Sequence, residues 1–349
     1  MHPILFKLPF VDLPVRMFGL FIITAFYYGA LWVQWKWACM QNPAFAAEEG
    51  LKKAFNRLIY ILIANRLLFG LVPGIPWPTR VICVLGVDAA TGIYYWIIWR
   101  RALKAHGREE ADFVFNLCFW LLIFGFLGSR LFWVATTPSG RSTFVDSPVR
   151  ALFYVWDGGI VWYGGLLLAA AFGIWYLWSK DMKPLDLGDV LIVGVAFALF
   201  IGRWACLSAG DDYGKAGDIP WALTFPPMED TQIPERLINV PIHPSQLYMS
   251  LNGLVLFLVT SWVLCRRKFN GQVLYTSMML YAVGRSIIEL YRGDEGRGLY
   301  DVGGGLQLSS SQIISIPVFL ISLWLYLRGW LRSRREAETA SPPEAGPTM

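Results

Sequence analysis

The chain has 349 residues, 56% of them hydrophobic and only 16% charged, with a formal net charge of +5. So large an apolar share falls outside the range of soluble domains, and the abundance of Trp and Tyr suits side chains seated at lipid–water boundaries. The sequence therefore reads as an all-α polytopic membrane protein. Its positive charge sits in short clusters at the ends of apolar runs, where membrane topology accounts for it, so no nucleic-acid partner is expected.

A spanning helix needs about 20 mostly apolar residues. In chain order the candidates are 15–38, 56–74, 80–99, 113–135, 159–178, 187–206, 247–265, 272–292 and 312–330. Asn65 and Arg66 interrupt the second run, and Asp88 the third. The first run lacks a small-residue cleavage site after it and is expected to stay as a helix. Basic clusters occur at 100–108 (RRALKAHGR), at Lys180 and Lys183, at Arg266–Lys268, and from Arg328 to Arg335. They fall on alternating connections, which places the N-terminus outside and the C-terminus in the cytoplasm. Residues 1–332 then form one transmembrane unit. The connection 207–246, rich in Asp and Glu, is an outer loop or cap. Residues 333–349, rich in Pro, Glu and Ala, are expected to be a disordered cytoplasmic tail. The stretch Gly293–Ser311, with Gly303, Gly304 and Gly305, reads as a flexible flap.

Five cysteines stand singly and three histidines are scattered, so no metal site and no cofactor is expected. Two arginines are more informative. Arg203 follows the apolar run Val190–Ile201, and Arg285 lies inside Val273–Tyr291. An arginine near the bilayer centre costs about 2.5–3.5 kcal/mol on insertion scales, so it marks a functional candidate. Glu289 lies one helical turn from Arg285, on the same face. Such a pocket suits an anionic lipid headgroup or another anion. The plainer alternatives are that Arg203 snorkels to the outer boundary and that Arg285–Glu289 is a structural pair. The glycine pairs in Asp157-Gly158-Gly159 and Tyr163-Gly164-Gly165 indicate close approach, either of another helix or of a ligand.

Several stretches, in order, resemble the prolipoprotein diacylglyceryl transferase family. They are HPILFKLPFVDLPVRMFGLFI, GFLGSRLFWV with Arg130, VWDGGIVWYGG, GRWACLSAGDDYG followed by IPWALTFP, PIHPSQLY, GRSIIELYR and LSSSQIISIP. The resemblance covers about 100–330 and the first 25 residues. It implies about 7 core transmembrane helices, plus about 2 extra ones inserted where residues of about 40–95 have no clear counterpart, although 80–108 also resembles the end of the family's first helix and its following basic loop. It departs from the family at Tyr163 (a histidine in the family), Cys206 (asparagine), Asp211 (glutamate), Phe18 (tyrosine) and Met249 (glutamate).

The resemblance implies an enzyme of the bacterial inner membrane. It would move the diacylglyceryl group of phosphatidylglycerol to the lipobox cysteine in a prolipoprotein signal peptide, among membrane lipids. Arg203 and Arg285 would clamp the phosphate, since guanidinium forks match phosphate oxygens, with Glu289 orienting Arg285. Tyr163 and Asp211 are the candidates for proton handling. An unperturbed phenol titrates near 10, and nearby arginines would favour its phenolate; otherwise Tyr163 hydrogen-bonds a lipid oxygen. Asp211 either accepts a proton or holds its loop. Substrate contacts would come from Arg130, Gly158, Gly159, Gly164, Gly165, Gly202, Cys206, Gly214, His243, Ser245, Gln246, Tyr248 and Arg292. At a helix start, His243 reads as structural and Ser245 as a cap. A paralogue that binds phospholipid or prolipoprotein without catalysis is the alternative, because the family histidine and asparagine are missing.

Overall fold

The computed structural model describes residues 4–7, 14–71, 77–154, 159–227, 231–294, 298–301 and 307–340. A short antiparallel pair, β1 (Ile4–Lys7) and β2 (Pro14–Arg16), precedes α1 (Met17–Gln41). Then follow α2 (Pro43–Ala47), α3 (Glu49–Leu71), α4 (Trp77–His106), α5 (Glu109–Thr136), α6 (Pro138–Asp146), α7 (Pro148–Phe153) and α8 (Trp162–Trp178). The chain continues through α9 (Pro184–Ala209), α10 (Ser245–Cys265), α11 (Gln272–Glu289), the antiparallel pair β3 (Leu299–Asp301) and β4 (Gln307–Ser309), and α12 (Ser310–Ala340). Each of the nine apolar runs falls, among the described residues, mainly on one helix. Among the described residues, α1, α5, α9, α10, α12 and most of α4 are long and apolar enough to cross a membrane, and α8 is a shorter apolar helix. The more polar α3 and α11 carry charges that are matched inside the bundle.

Helix ends follow local chemistry. Thr137 and Ser147 cap α6 and α7 through their hydroxyls, each followed by proline at the first helical position. Helix α9 also opens on a proline, Pro184, and stops at Gly210, whose φ of +73° closes the last turn.

Helix α1 lies inside the bundle, against α9, α5 and α4. Its approach to α9 depends on glycine. A Cβ at Gly29 would lie 3.0 Å from the Gly194 carbonyl oxygen, and one at Gly194 would lie 2.3 Å from Val33. Helices α9 and α10 meet through Phe197 stacked on Phe257, with centroids 4.6 Å apart, and through Ser250 Oγ donating to the Phe200 carbonyl at 2.7 Å. At the opposite end from the arginines, the buried Asp189 accepts N–H bonds from Gly271 and Leu274, both at 2.9 Å, and so ties α9 to the start of α11.

The polar interruptions of the second and third spans answer one another. Arg66 on α3 grips Asp88 on α4 with two bonds of 2.6 Å, and Asn65 donates to the same carboxylate at 2.9 Å. All three side chains are buried. The Tyr28 hydroxyl on α1 donates to the Asp88 carbonyl at 2.6 Å, which fastens this helical pair to the bundle.

The tail differs from expectation. Residues 333–340 continue α12, because REAETA is made of helix-forming residues and Thr339 donates back to the Arg335 carbonyl. Residues 341–349, and 295–297 and 302–306 of the expected flap, lie outside the described residues.

Removing one partner of a buried ion pair strands the other charge, at a cost of about 3–5 kcal/mol. Asp88→Ala should therefore lower thermal stability in detergent strongly. Lys53→Ala, which breaks the exposed Lys53–Glu49 pair, should leave the unfolding curve unmoved.

Candidate functional site

The site lies at the ends of α9 and α11 away from the basic clusters, together with the loops that join them to α10 and α12. The positive-inside rule assigns this end to the outer face. The register of α11 places Tyr281, Arg285 and Glu289 in one row, four residues apart. Arg285 Nη1 lies 2.7 Å from Glu289 Oε2, and Nη2 donates to Ser311 Oγ at the start of α12 at 2.9 Å. Glu289 is buried, with 2% of its side chain exposed.

Arg203 projects from the penultimate turn of α9. It does not snorkel to water: its side chain is 18% exposed, and Nη1 pairs with Asp212 Oδ2. The other oxygen of Asp212 accepts from Arg292 Nη2 at 2.5 Å. Arg292 in turn grips Asp294 through Nε at 2.8 Å and Nη2 at 2.6 Å. Arg203 and Arg285, from separate helices, stand within electrostatic reach of each other, of Arg292 and of Tyr281. Tyr163, at the first turn of α8, faces the same group and feels Tyr281, Arg285 and Glu289.

The loop that carries Asp211 and Asp212 is held from below. Asp212 has a left-handed φ of +52°, which Asp tolerates better than most residues. Ser245 Oγ donates to the Asp212 carbonyl, and Gln246 Nε2 donates to the Asp211 carbonyl at 2.7 Å. Both side chains are buried. Ser245 is thus not the cap of α10: Pro244 holds that position with no side-chain bond, and the serine hydroxyl is turned to the loop. His243 accepts or donates at Nδ1 with Tyr248 Oη at 3.2 Å and packs against Tyr291, and Trp221 Nε1 donates to Tyr248 Oη at 2.8 Å. Gly214 pairs with Arg292 in an isolated β-bridge, and a Cβ there would come within 2.1 Å of the His243 carbonyl oxygen.

Asp211 is exposed, and its Oδ1 accepts the Asp212 N–H at 2.8 Å. Desolvation within the loop, and then the neighbouring Asp212 charge, push its carboxyl above the ordinary carboxylate value. For Asp212 desolvation pushes upward too, but Arg203 and Arg292 outweigh it and hold the carboxyl below that value. Cys206 is a free thiol one turn beyond Arg203, with Nη1 at 3.8 Å.

Other expected site residues stand elsewhere. Arg130 is buried and donates to the carbonyls of Gly159, Arg150 and Tyr154 at 3.0–3.2 Å, with its guanidinium 4.7 Å from the Trp133 ring centroid. It fastens the segment after α7 to α5. Ligand approach was one reading of the paired glycines; the structure gives Gly164 and Gly165 the other one. A Cβ at Gly164 would lie 2.5 Å from the Gly128 carbonyl oxygen, and one at Gly165 would lie 2.7 Å from that of Gly125, so both faces are filled by α5. Gly159 has φ +73° and lies against Trp133. Gly158 lies outside the described residues. Gly202 faces α1 at ordinary distances, with Ala25 at 3.5 Å. Among the described residues, no cluster of His, Cys, Asp or Glu is arranged to hold a metal ion.

Sequence reasoning missed Asp212, Asp294, Tyr281 and Ser311. The repeat of Tyr281, Arg285 and Glu289 at four-residue intervals was a readable signal for one of them. The pairing of Asp212 with two arginines needs a loop fold that no spacing rule supplies.

The fold is that of an all-α polytopic membrane protein with an arginine–carboxylate cluster at one end of its bundle. The family model described as prolipoprotein diacylglyceryl transferase matches residues 80–328. A phosphatidylglycerol–prolipoprotein diacylglyceryl transferase from Rhodospirillum centenum is 33% identical over 239 residues, covering 67% of this chain and 82% of that protein. Its namesake from Geobacter sulfurreducens is 32% identical over 255 residues, covering 72% of this chain and 89% of the relative. One from Thermus thermophilus is 29% identical over 257 residues, covering 66% and 87%. The chain belongs to the prolipoprotein diacylglyceryl transferase family.

The glycine geometry separates packing from open positions. Gly164→Ala should lower thermal stability, since backbone stands where its Cβ must go. Gly202→Ala should unfold at the wild-type temperature.

Proposed function

We propose that this protein transfers the diacylglyceryl group of phosphatidylglycerol to the lipobox cysteine thiol of prolipoproteins and releases glycerol phosphate. It would do so as a multi-pass enzyme of the bacterial inner membrane, working at the outer face. The carrying observation is the convergence of Arg203 and Arg285, from separate helices, at that face. Family membership and the names of the relatives support the same reaction.

In this reaction the thiolate sulfur attacks the glyceryl carbon that carries the phosphate. A C–S bond forms, the C–O bond breaks, and its electron pair stays on the phosphate oxygen. Negative charge grows on the leaving group, so preset donors there lower the barrier. Arg203 and Arg285 fill that role, and Glu289 with Ser311 fixes the direction of Arg285. The thiol proton is the second requirement. A free thiol titrates near 8.5, so modest help suffices. We assign the proton to Asp211, whose raised carboxyl stands exposed beside the arginine cluster. Tyr163 is assigned to orient the lipid, because its phenol at the start of α8 faces both Arg285 and Glu289, which act on it in opposite directions. His243, Tyr248, Ser245, Gln246 and Gly214 shape the loop under the phosphate, and Arg292 braces Asp212.

Purified protein incubated with phosphatidylglycerol and a lipobox peptide should add the mass of one diacylglyceryl group. Tyr163 and Cys206, standing where the family has histidine and asparagine, favour a binding-only paralogue, and the absence of any mass gain would select it. Arg203→Ala and Arg285→Ala should each cut turnover by about 100-fold or more, the scale seen on removing a preset donor, with membrane insertion intact. A near-wild-type rate in either variant removes that arginine from the clamp.

The role of Asp211 gives a pH signature. A base with a raised pKa is active above that pKa and lost as pH falls through it, so kcat/KM should show an acidic limb above the usual carboxylate range. Asp211→Asn should abolish the limb along with most of the rate. A limb that persists in the variant assigns it to another group.

A further inference from the structure

Each of the three guanidiniums at the outer face already touches a carboxylate: Arg285 meets Glu289, Arg203 meets Asp212, and Arg292 meets both Asp212 and Asp294. Three positive charges face three negative ones, so this contact group is neutral before any ligand arrives. A phosphate diester brings a further negative charge. In a partly buried, low-dielectric site an extra uncompensated charge is costly. The phosphate gains most if one carboxylate gives up its place.

Asp212 is the carboxylate built to yield. Asp294 is held by two donors of one guanidinium. Glu289 is buried on the same helix as its partner. Asp212 lies on a loop, its side chain is 24% exposed, and it presents one oxygen to each of two arginines. Releasing Arg203 leaves its other oxygen on Arg292, at 2.5 Å. Its backbone meanwhile is pinned through Ser245 and, by way of Asp211, through Gln246, so a side-chain rotation suffices.

We infer that Asp212 is an internal substitute for the lipid phosphate: it occupies Arg203 in the resting site, the incoming phosphate displaces it onto Arg292 alone, and it returns when glycerol phosphate leaves. The inference rests on the phosphate-clamp reading. It gives Asp212 a role in ligand selection, because an anion no better than a carboxylate gains nothing by the exchange. It also gives the site a means of shedding its product.

The test uses the full chain in detergent and glycerol phosphate as the probe, read by ligand-dependent thermal unfolding. Asp212→Asn should bind glycerol phosphate about tenfold more tightly than wild type, the scale of one charge-assisted hydrogen bond that no longer has to be broken. Glycerol phosphate should likewise become a stronger product inhibitor of the variant. Equal or weaker binding by Asp212→Asn overturns the exchange while leaving the clamp standing. Binding by neither protein removes the clamp itself. A structure of the wild type with glycerol phosphate gives a check independent of the variant's folding. An Arg203–Asp212 contact broken by the bound phosphate supports the inference, and an intact one refutes it.

Discussion

A guanidinium buried below the surface of a membrane protein must meet a partner, because charge in a low-dielectric interior is expensive to leave alone. This constraint organises the whole molecule. Arg66 closes on Asp88, Arg130 on the carbonyls around it, Arg203 and Arg292 on Asp212, and Arg285 on Glu289. What separates the site from the structural pairs is accessibility. Arg66 and Asp88 are shut inside helices, with both forks satisfied. The outer cluster takes its shared carboxylate, Asp212, from a loop, with 24% of that side chain exposed.

Much of the fold was legible in the sequence because spanning a bilayer imposes a strict length and polarity on each helix. All nine apolar runs are helices, and their ends lie within a few residues of the expected ones except where polar turns extend them. Residues 335–340 depart from the expected tail, since composition alone does not register that REAETA can extend an existing helix. The meaning of Asn65, Arg66 and Asp88 was also hidden. Each looked like a defect in its own span, and the match between them appears only when α3 and α4 lie side by side.

The site was half legible. Arg285 with Glu289 follows from helical spacing, and Arg203 from its position near a helix end. Arg292, Gly214, His243 and the Ser245–Gln246 pair came through the resemblance to the family, and the structure places them around one loop. Asp212 carries no signal of its own in the sequence, since the resemblance points to its neighbour Asp211, which stands at a family glutamate position. Backbone direction decides between adjacent residues in such a loop. The left-handed turn at Asp212 sends its carboxylate to the arginines and leaves Asp211 outward. The glycines at 164 and 165 show the reverse error, where a motif suggestive of a ligand belongs to a contact between helices.

The helical pair α3–α4 closes Arg66 on Asp88 internally and meets α1 through packing, with Trp35 stacked on Phe55, and through hydroxyl and indole bonds, among them Tyr28 to the Asp88 carbonyl and Trp99 to Gln34. The buried guanidinium of this hairpin thus finds its counter-charge within the hairpin. Arg66 needs no partner from the rest of the bundle when it is buried. Because the family match begins at residue 80, within α4, Asp88 belongs to the matched bundle while Arg66 lies before it, so their pair welds the preceding helix onto the family framework.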